Sequence, residues 1–127
     1  MQSRARELSR LQQIAEAVWL GKSQDLRRKA AEEREVACKL ASLADGKRIS
    51  IANLSAAGSD GAQLAATARW MRWAERERQR LNRELARLRA EKLDVQQRAR
   101  ASFGRNSAVE KLIELDRRKT AQRRNRA

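Results

Sequence analysis

The 127-residue sequence contains no proline, histidine or tyrosine and a single cysteine, Cys38. One cysteine cannot form an internal disulfide, and nothing indicates an oxidising compartment. The sequence therefore lacks the residues needed for a histidine or cysteine metal cluster. It also lacks a recognisable nucleophile with an activating base. We therefore predict a protein that is not an enzyme and that holds no metal and no cofactor.

Aromatic residues are also scarce, at three tryptophans and one phenylalanine, whereas 36% of the residues are charged. A chain of this length and composition is at most one domain and cannot enclose a thick globular core. No apolar run approaches the length of a membrane span, and residues 1–10 lack the apolar core of a signal peptide. We predict a cytoplasmic protein.

The net charge of +14 is unevenly distributed along the chain. Residues 1–61 carry 11 basic and 8 acidic side chains, whereas residues 62–127 carry 19 and 8, so the second half supplies +11 of the total. A surface of this sign attracts polyanions or acidic protein surfaces, and the attraction weakens as salt rises. Composition alone does not choose between those partners.

The residues that are abundant, Ala, Arg, Leu, Glu and Gln, are typical of long helices. Between Trp70 and Ala101, apolar residues recur at alternating steps of three and four. This spacing predicts a helix with a narrow apolar seam that packs against a partner helix. Residues 4–44 follow similar spacing and form the first predicted helix. Residues 45–61 contain three of the five glycines and are predicted to form a tip loop.

The second helix is predicted from residue 62 to about 118, with Ser59 or Asp60 capping its first turn. Gly104 weakens this helix, and we predict either a kink near 102–107 or a continuous overhang there. Residues 119–127 form a basic tail that is predicted to be disordered.

Together these elements predict an all-α fold, a long antiparallel two-helix coiled-coil hairpin over residues 1–127. The second helix is the longer one and ends in a basic carboxy-terminal overhang. If facing residues have numbers that sum to about 106, the two apolar seams coincide layer by layer. The predicted hairpin core then consists of Leu11, Val18, Leu26, Leu40, Met71, Leu81, Leu85, Leu88 and Val95.

Trp70 and Trp73 have two interpretations. They can clamp the hairpin near its tip, or Trp73 can project as an interface anchor among neighbouring arginines, because Trp and Arg are enriched at binding hot spots. The basic end likewise can be a solvated terminus, a docking surface for an acidic protein, or a nucleic-acid contact. The candidate partner-binding residues are Arg69, Trp70, Arg72, Trp73, Arg76, Phe103, Arg117, Arg118, Arg123 and Arg124.

The charged, Arg-rich hairpin and the segment from Phe103 to Leu115, followed by a basic end, resemble the FliJ and YscO family. These are small coiled-coil proteins of flagellar and type III secretion systems. The resemblance implies a stalk that enters the hexameric export ATPase and links it to the export-gate protein, at the cytoplasmic face of a membrane complex. It further implies that residues 1–18 with 88–127 enter the ATPase ring and that the surface around Trp70 and Trp73 meets the gate.

Two other hypotheses stay open from the sequence. The chain can be a basic helical protein associated with nucleic acid, or a structural coiled coil that dimerises through the seam in place of folding back. No small-molecule substrate is predicted in any of the three cases.

Overall fold

The computed structural model describes residues 2–58 and 60–126. Over these residues the chain forms two helices, α1 (Gln2–Ala57) and α2 (Gly61–Arg126), which pack against each other. The predicted all-α helical hairpin is confirmed, and the second helix, at 66 residues against 56, is the longer one. Within this part of the chain, neither helix combines the length and apolar character that crossing a bilayer requires.

The turn between the helices is much shorter than predicted. The tip loop at 45–61 was wrong, because α1 continues to Ala57 and the chain reverses around Gly58, whose φ of 59° is left-handed. Glycine adopts this conformation without steric penalty. The Oδ1 atom of Asp60 accepts a hydrogen bond of 2.7 Å from the backbone N–H of Gln63. The predicted cap at Asp60 is therefore confirmed, and Ser59 lies outside the described residues.

Gly46 lies within α1 and does not end it. A glycine in a helix costs only about 1 kcal/mol relative to alanine, which the surrounding turns can offset. Its lack of a side chain has a packing consequence, because a Cβ atom here would lie 2.9 Å from Cη2 of Trp70. The glycine therefore makes room for the indole of Trp70 on the facing helix.

Helix α2 also extends further than predicted. It is helical through residues 102–107, in agreement with the continuous overhang, and continues to Arg126, so the disordered tail was wrong for the described residues. Ala127 lies outside them. Arg123, Arg124 and Arg126 occupy the last turn, where positive charge interacts favourably with the negative end of the helix dipole.

The helices contribute to two compact units, a terminal unit (2–28 with 92–126) and a tip unit (29–91). In the tip unit, Val36, Leu81, Leu85 and Leu88 are buried, and Leu40 and Leu43 pack against them. The predicted core positions Leu81, Leu85 and Leu88 are thus confirmed.

In the terminal unit, the α2 side of the seam was predicted correctly and the α1 side only in part. Ala99 is buried and the predicted core residues Leu26 and Val95 are half-buried. Leu11 and Val18 were wrongly assigned to the core, since 50% and 43% of their surfaces are exposed.

The α1 seam in this unit instead runs through Gln12 and Trp19, each one residue later than predicted. Trp19 packs against Phe103 with ring centroids 5.9 Å apart and an interplanar angle of 52°. An indole covers more apolar area than a valine, so turning α1 to bring Trp19 inward buries more surface. That rotation leaves Val18 and Leu11 outside the seam.

The register between the helices differs from the predicted one by two heptads. Lys29 pairs with Glu91 in the tip unit, and Arg4 pairs with Asp116 in the terminal unit. Both pairs of residue numbers sum to 120, which is 14 more than the predicted 106. A slip of two seven-residue repeats brings the same heptad positions opposite each other, so layer matching cannot detect it.

Candidate interaction surfaces

Several carboxylates of α2 belong to ion pairs on the helix surface. Arg78 lies 2.6 Å from Glu75 and Arg80 lies 2.8 Å from Glu77, each three residues apart on α2. These hydrogen bonds lower the pKa of Glu75 and of Glu77. Both carboxylates are therefore held in the charged form, which suits a solvated helix surface and not a proton donor near neutral pH.

A second set of pairs joins α1 to α2 in the tip unit. The Nζ atom of Lys29 donates a 2.7 Å hydrogen bond to Glu91, whose other oxygen accepts a 2.7 Å bond from Arg87. Nearby, Arg89 lies 3.2 Å from Glu33. The hydrogen bond from Lys29, followed by that from Arg87, lowers the pKa of Glu91, and the same bond raises the pKa of Lys29. These pairs mark the register of the two helices.

No group of three or more His, Cys, Asp or Glu side chains in residues 2–58 and 60–126 is arranged to hold a metal ion. The single cysteine, Cys38, is exposed on α1.

The two neighbouring tryptophans differ in their surroundings. Trp70 is half-buried over Gly46, as the clamp interpretation requires, whereas 47% of the Trp73 surface is exposed. Their ring centroids are 6.4 Å apart. Trp73 lines an open depression together with Cys38 and Leu43 of α1. An exposed indole at the edge of such a depression is available to a partner.

The predicted arginines around these tryptophans, Arg69, Arg72 and Arg76, are all exposed on α2. Phe103, which is 55% exposed, belongs to the terminal unit and does not join the tryptophan surface. The predicted residues therefore form two separate sets, one in each unit. Whether either set binds a partner stays a prediction.

The basic end is an ordered part of α2. Arg118 pairs with Glu114 at 2.6 Å, while Arg117 and Arg124 border an open depression with Ala5 of α1. Arg123 is exposed in the last turn. The helix thus presents its positive charges in a defined arrangement.

No family model, curated protein or solved structure matches this chain. The resemblance to FliJ and YscO therefore stays a hypothesis about function.

One surface was missed by the sequence reasoning. Leu11, Ile14 and Val18 are exposed and line an open groove in the terminal unit, together with residues of α2. Their spacing of three and four residues is itself a helical stripe. The signal was present, because α1 carries more apolar positions between 8 and 19 than one narrow seam can bury.

Proposed function

We propose that this chain is a non-catalytic adaptor of a bacterial flagellar or type III export apparatus that links the export ATPase to the export gate. The observation that supports the proposal is the pairing of α1 with α2, which consumes the apolar seam within the chain. Leu81, Leu85 and Leu88 are at most 8% exposed. Partners must then bind the outer surface, as they would on a stalk-like adaptor.

The two units suit two different partners. The terminal unit carries 17 basic and 7 acidic side chains, a net charge of +10. We assign it to the export ATPase, whose inner surface would have to be acidic to receive it. The tip unit carries the exposed Trp73 and its arginines, and we assign this surface to the export gate.

In this role the protein works in the cytoplasm, at the cytoplasmic face of the membrane export complex. It needs no catalytic group of its own, because the ATPase supplies the free energy. The ion pairs of Glu75 and Glu77 agree with a structural use of the carboxylates.

The test measures binding of the purified chain to the hexameric export ATPase and to the cytoplasmic part of the export gate from the same genome. Arg117→Gln combined with Arg124→Gln should weaken ATPase binding about tenfold or more. The matched control, Arg34→Gln with Arg83→Gln, removes the same charge from exposed positions of the tip unit. It should leave ATPase binding nearly unchanged.

Trp73→Ala should weaken gate binding and leave ATPase binding intact, because Trp73 lies in the other unit. Absence of measurable association with either protein at micromolar concentration would contradict the export role.

A second candidate is binding to nucleic acid, which the helical order of the basic end favours. Residues 117–126 carry six basic and no acidic side chains and remain helical through Arg126. If all six contact phosphates, the affinity for duplex DNA should fall with salt at a logarithmic slope near about −5. A slope of this size, without ATPase binding, would select this candidate. The structural-dimer hypothesis requires a dimer in sedimentation at micromolar concentration.

A further inference from the structure

The terminal unit exposes an apolar groove that the seam between α1 and α2 leaves uncovered. The groove is open and encloses about 440 Å³. Ile14 is 62% exposed, Leu11 50% and Val18 43%. We call it the apolar groove. Its apolar lining consists of Leu11, Ile14, Ala15 and Val18 of α1 and of Ala108 and Val109 of α2.

The apolar face of α2 continues beyond the groove. Leu112 and Leu115 follow Ala108 by four and seven residues, which puts all three on the same side of the helix. Both leucines are about half exposed, at 48% and 50%. Single exposed leucines are ordinary, but a contiguous apolar strip on two adjacent helices marks an interaction surface.

The form of this surface suits a helix. Two packed helices leave a furrow between them, and an amphipathic third helix can lay its apolar ridge in such a furrow. The spacing of Leu11, Ile14 and Val18 along α1 offers contacts over two turns.

Charge selects the chemistry of the occupant. Arg105 lines the groove, and among residues 2–58 and 60–126 no carboxylate pairs with it. The terminal unit carries a net charge of +10. A second copy of this chain would bring another +10 to the interface and be repelled, whereas a helix with carboxylates beside its apolar ridge would be attracted.

We propose that the apolar groove binds an amphipathic helix of another protein, with leucines on the groove floor and carboxylates facing Arg105. The groove lies in the terminal unit that we assign to the export ATPase, but neither Trp73 nor the basic residues at 117–126 line it. Its test is therefore separate from the export test, which substitutes Trp73, Arg117 and Arg124.

The experiment uses the full chain and a fluorescein-labelled helical peptide of about 18 residues, five turns, with leucines on one face and glutamates beside them. A second peptide has the same composition in an order that scatters the leucines around the helix. Fluorescence anisotropy measures both affinities. The first peptide should bind at least about tenfold more tightly than the scrambled one, because only it presents a continuous apolar ridge.

Two matched variants locate the site. Ile14→Gln should weaken binding of the first peptide about tenfold, whereas Ile49→Gln, at an isoleucine of the tip unit that is 60% exposed, should change it less than about twofold. Arg105→Gln should weaken binding about threefold and reduce its salt dependence. All three substituted positions are exposed, and circular dichroism checks that the helices persist.

Equal binding of the two peptides would overturn the proposal, because it would show attraction to positive charge alone. Equal losses from Ile14→Gln and Ile49→Gln would also overturn it, since the groove would then not be the site. A dimer in sedimentation velocity that Ile14→Gln abolishes would assign the groove to a second copy and overturn the assignment to a partner helix.

Discussion

Replacing Gly46 by alanine should destabilise the chain or leave it unchanged, although the same replacement at Gly21 should stabilise it. Both glycines lie inside α1. A Cβ atom at Gly21 would meet nothing within 4 Å, whereas one at Gly46 would lie 2.9 Å from Cη2 and 3.0 Å from Cζ2 of Trp70. The two substitutions therefore share the backbone effect and differ in the packing effect.

The magnitude follows from these two effects. Alanine stabilises a helix interior by about 1 kcal/mol relative to glycine, and Gly21→Ala should gain this amount. At Gly46 the new methyl group falls 0.5 Å short of the 3.4 Å at which ordinary contact begins. The indole is rigid and must move as a whole, so overpacking should cost about 1–3 kcal/mol. The net change for Gly46→Ala is then between about zero and 2 kcal/mol of destabilisation.

Urea denaturation followed by far-ultraviolet circular dichroism measures both variants at one temperature. A double-mutant cycle with Trp70→Ala isolates the contact. Without the indole, Gly46→Ala should stabilise the chain by about 1 kcal/mol, as Gly21→Ala does in the wild type.

Equal stabilisation by Gly46→Ala and Gly21→Ala in the wild-type background would refute the packing of Trp70 over Gly46. A cycle with no coupling energy between Gly46 and Trp70 would have the same meaning.

Three further predictions concern the core, the turn and an ion pair. Leu88→Ala should lower the free energy of unfolding in urea by about 2–4 kcal/mol, because Leu88 is only 2% exposed. Leu93→Ala, at a leucine that is 56% exposed, should lower it by less than about 1 kcal/mol. Equal losses would contradict the assigned seam. Gly58→Ala should lower the free energy of unfolding by about 1–2 kcal/mol, because the φ of Gly58 is 59°. Gly61→Ala should change it by less than about 0.5 kcal/mol. A Gly58→Ala variant as stable as the wild type would contradict the left-handed conformation at the turn. The lowered pKa of Glu91 means that its pairing with Lys29 and Arg87 stabilises the fold above the ordinary value of 4.5 and is lost as pH falls through the lower folded pKa. Between neutral pH and about pH 3, Glu91→Gln should therefore lose less stability than the wild type, measured by urea midpoints; identical losses would show that the pair contributes nothing.

The α2 seam was predictable from the sequence because its apolar residues leave no second choice. The residues beside Leu81, Leu85 and Leu88 are Arg, Glu and Asn, apart from the small Ala86, so one face of the helix is much more apolar than the others. The α1 seam was harder to assign because Leu11 and Val18 stand directly before Gln12 and Trp19. Two stripes one residue apart differ by a small rotation of the helix, and packing against Phe103 decides between them.

The register depended on the turn, which the sequence predicted over residues 45–61 and which the structure has around Gly58. Gly46 has the composition of a helix end, yet its neighbour in space is Trp70, 24 residues further along the chain. The predicted loop and the predicted register were wrong together, because the position of the turn sets which residues face each other. The apolar repeat did not expose the error, since two heptads restore the same pattern.

One candidate surface could be predicted from the sequence, and the other could be assigned only from the structure. The exposure of Arg69, Arg72 and Arg76 follows from their positions between the seam residues of α2. The apolar groove could not be assigned until the rotation of α1 was known, because with Leu11 and Val18 in the core no groove would exist.

By itself the sequence determined that the chain is helical, that α2 buries the seam through Leu81, Leu85 and Leu88, and that positive charge accumulates towards the carboxy terminus. These properties arise from local propensity, from the spacing of apolar residues and from composition. Only the tertiary structure decided where the chain turns, which heptads of α1 face those of α2, and which apolar residues stay outside the seam. Those choices depend on contacts between residues far apart in sequence, such as Gly46 with Trp70 and Trp19 with Phe103, which a repeating pattern does not encode.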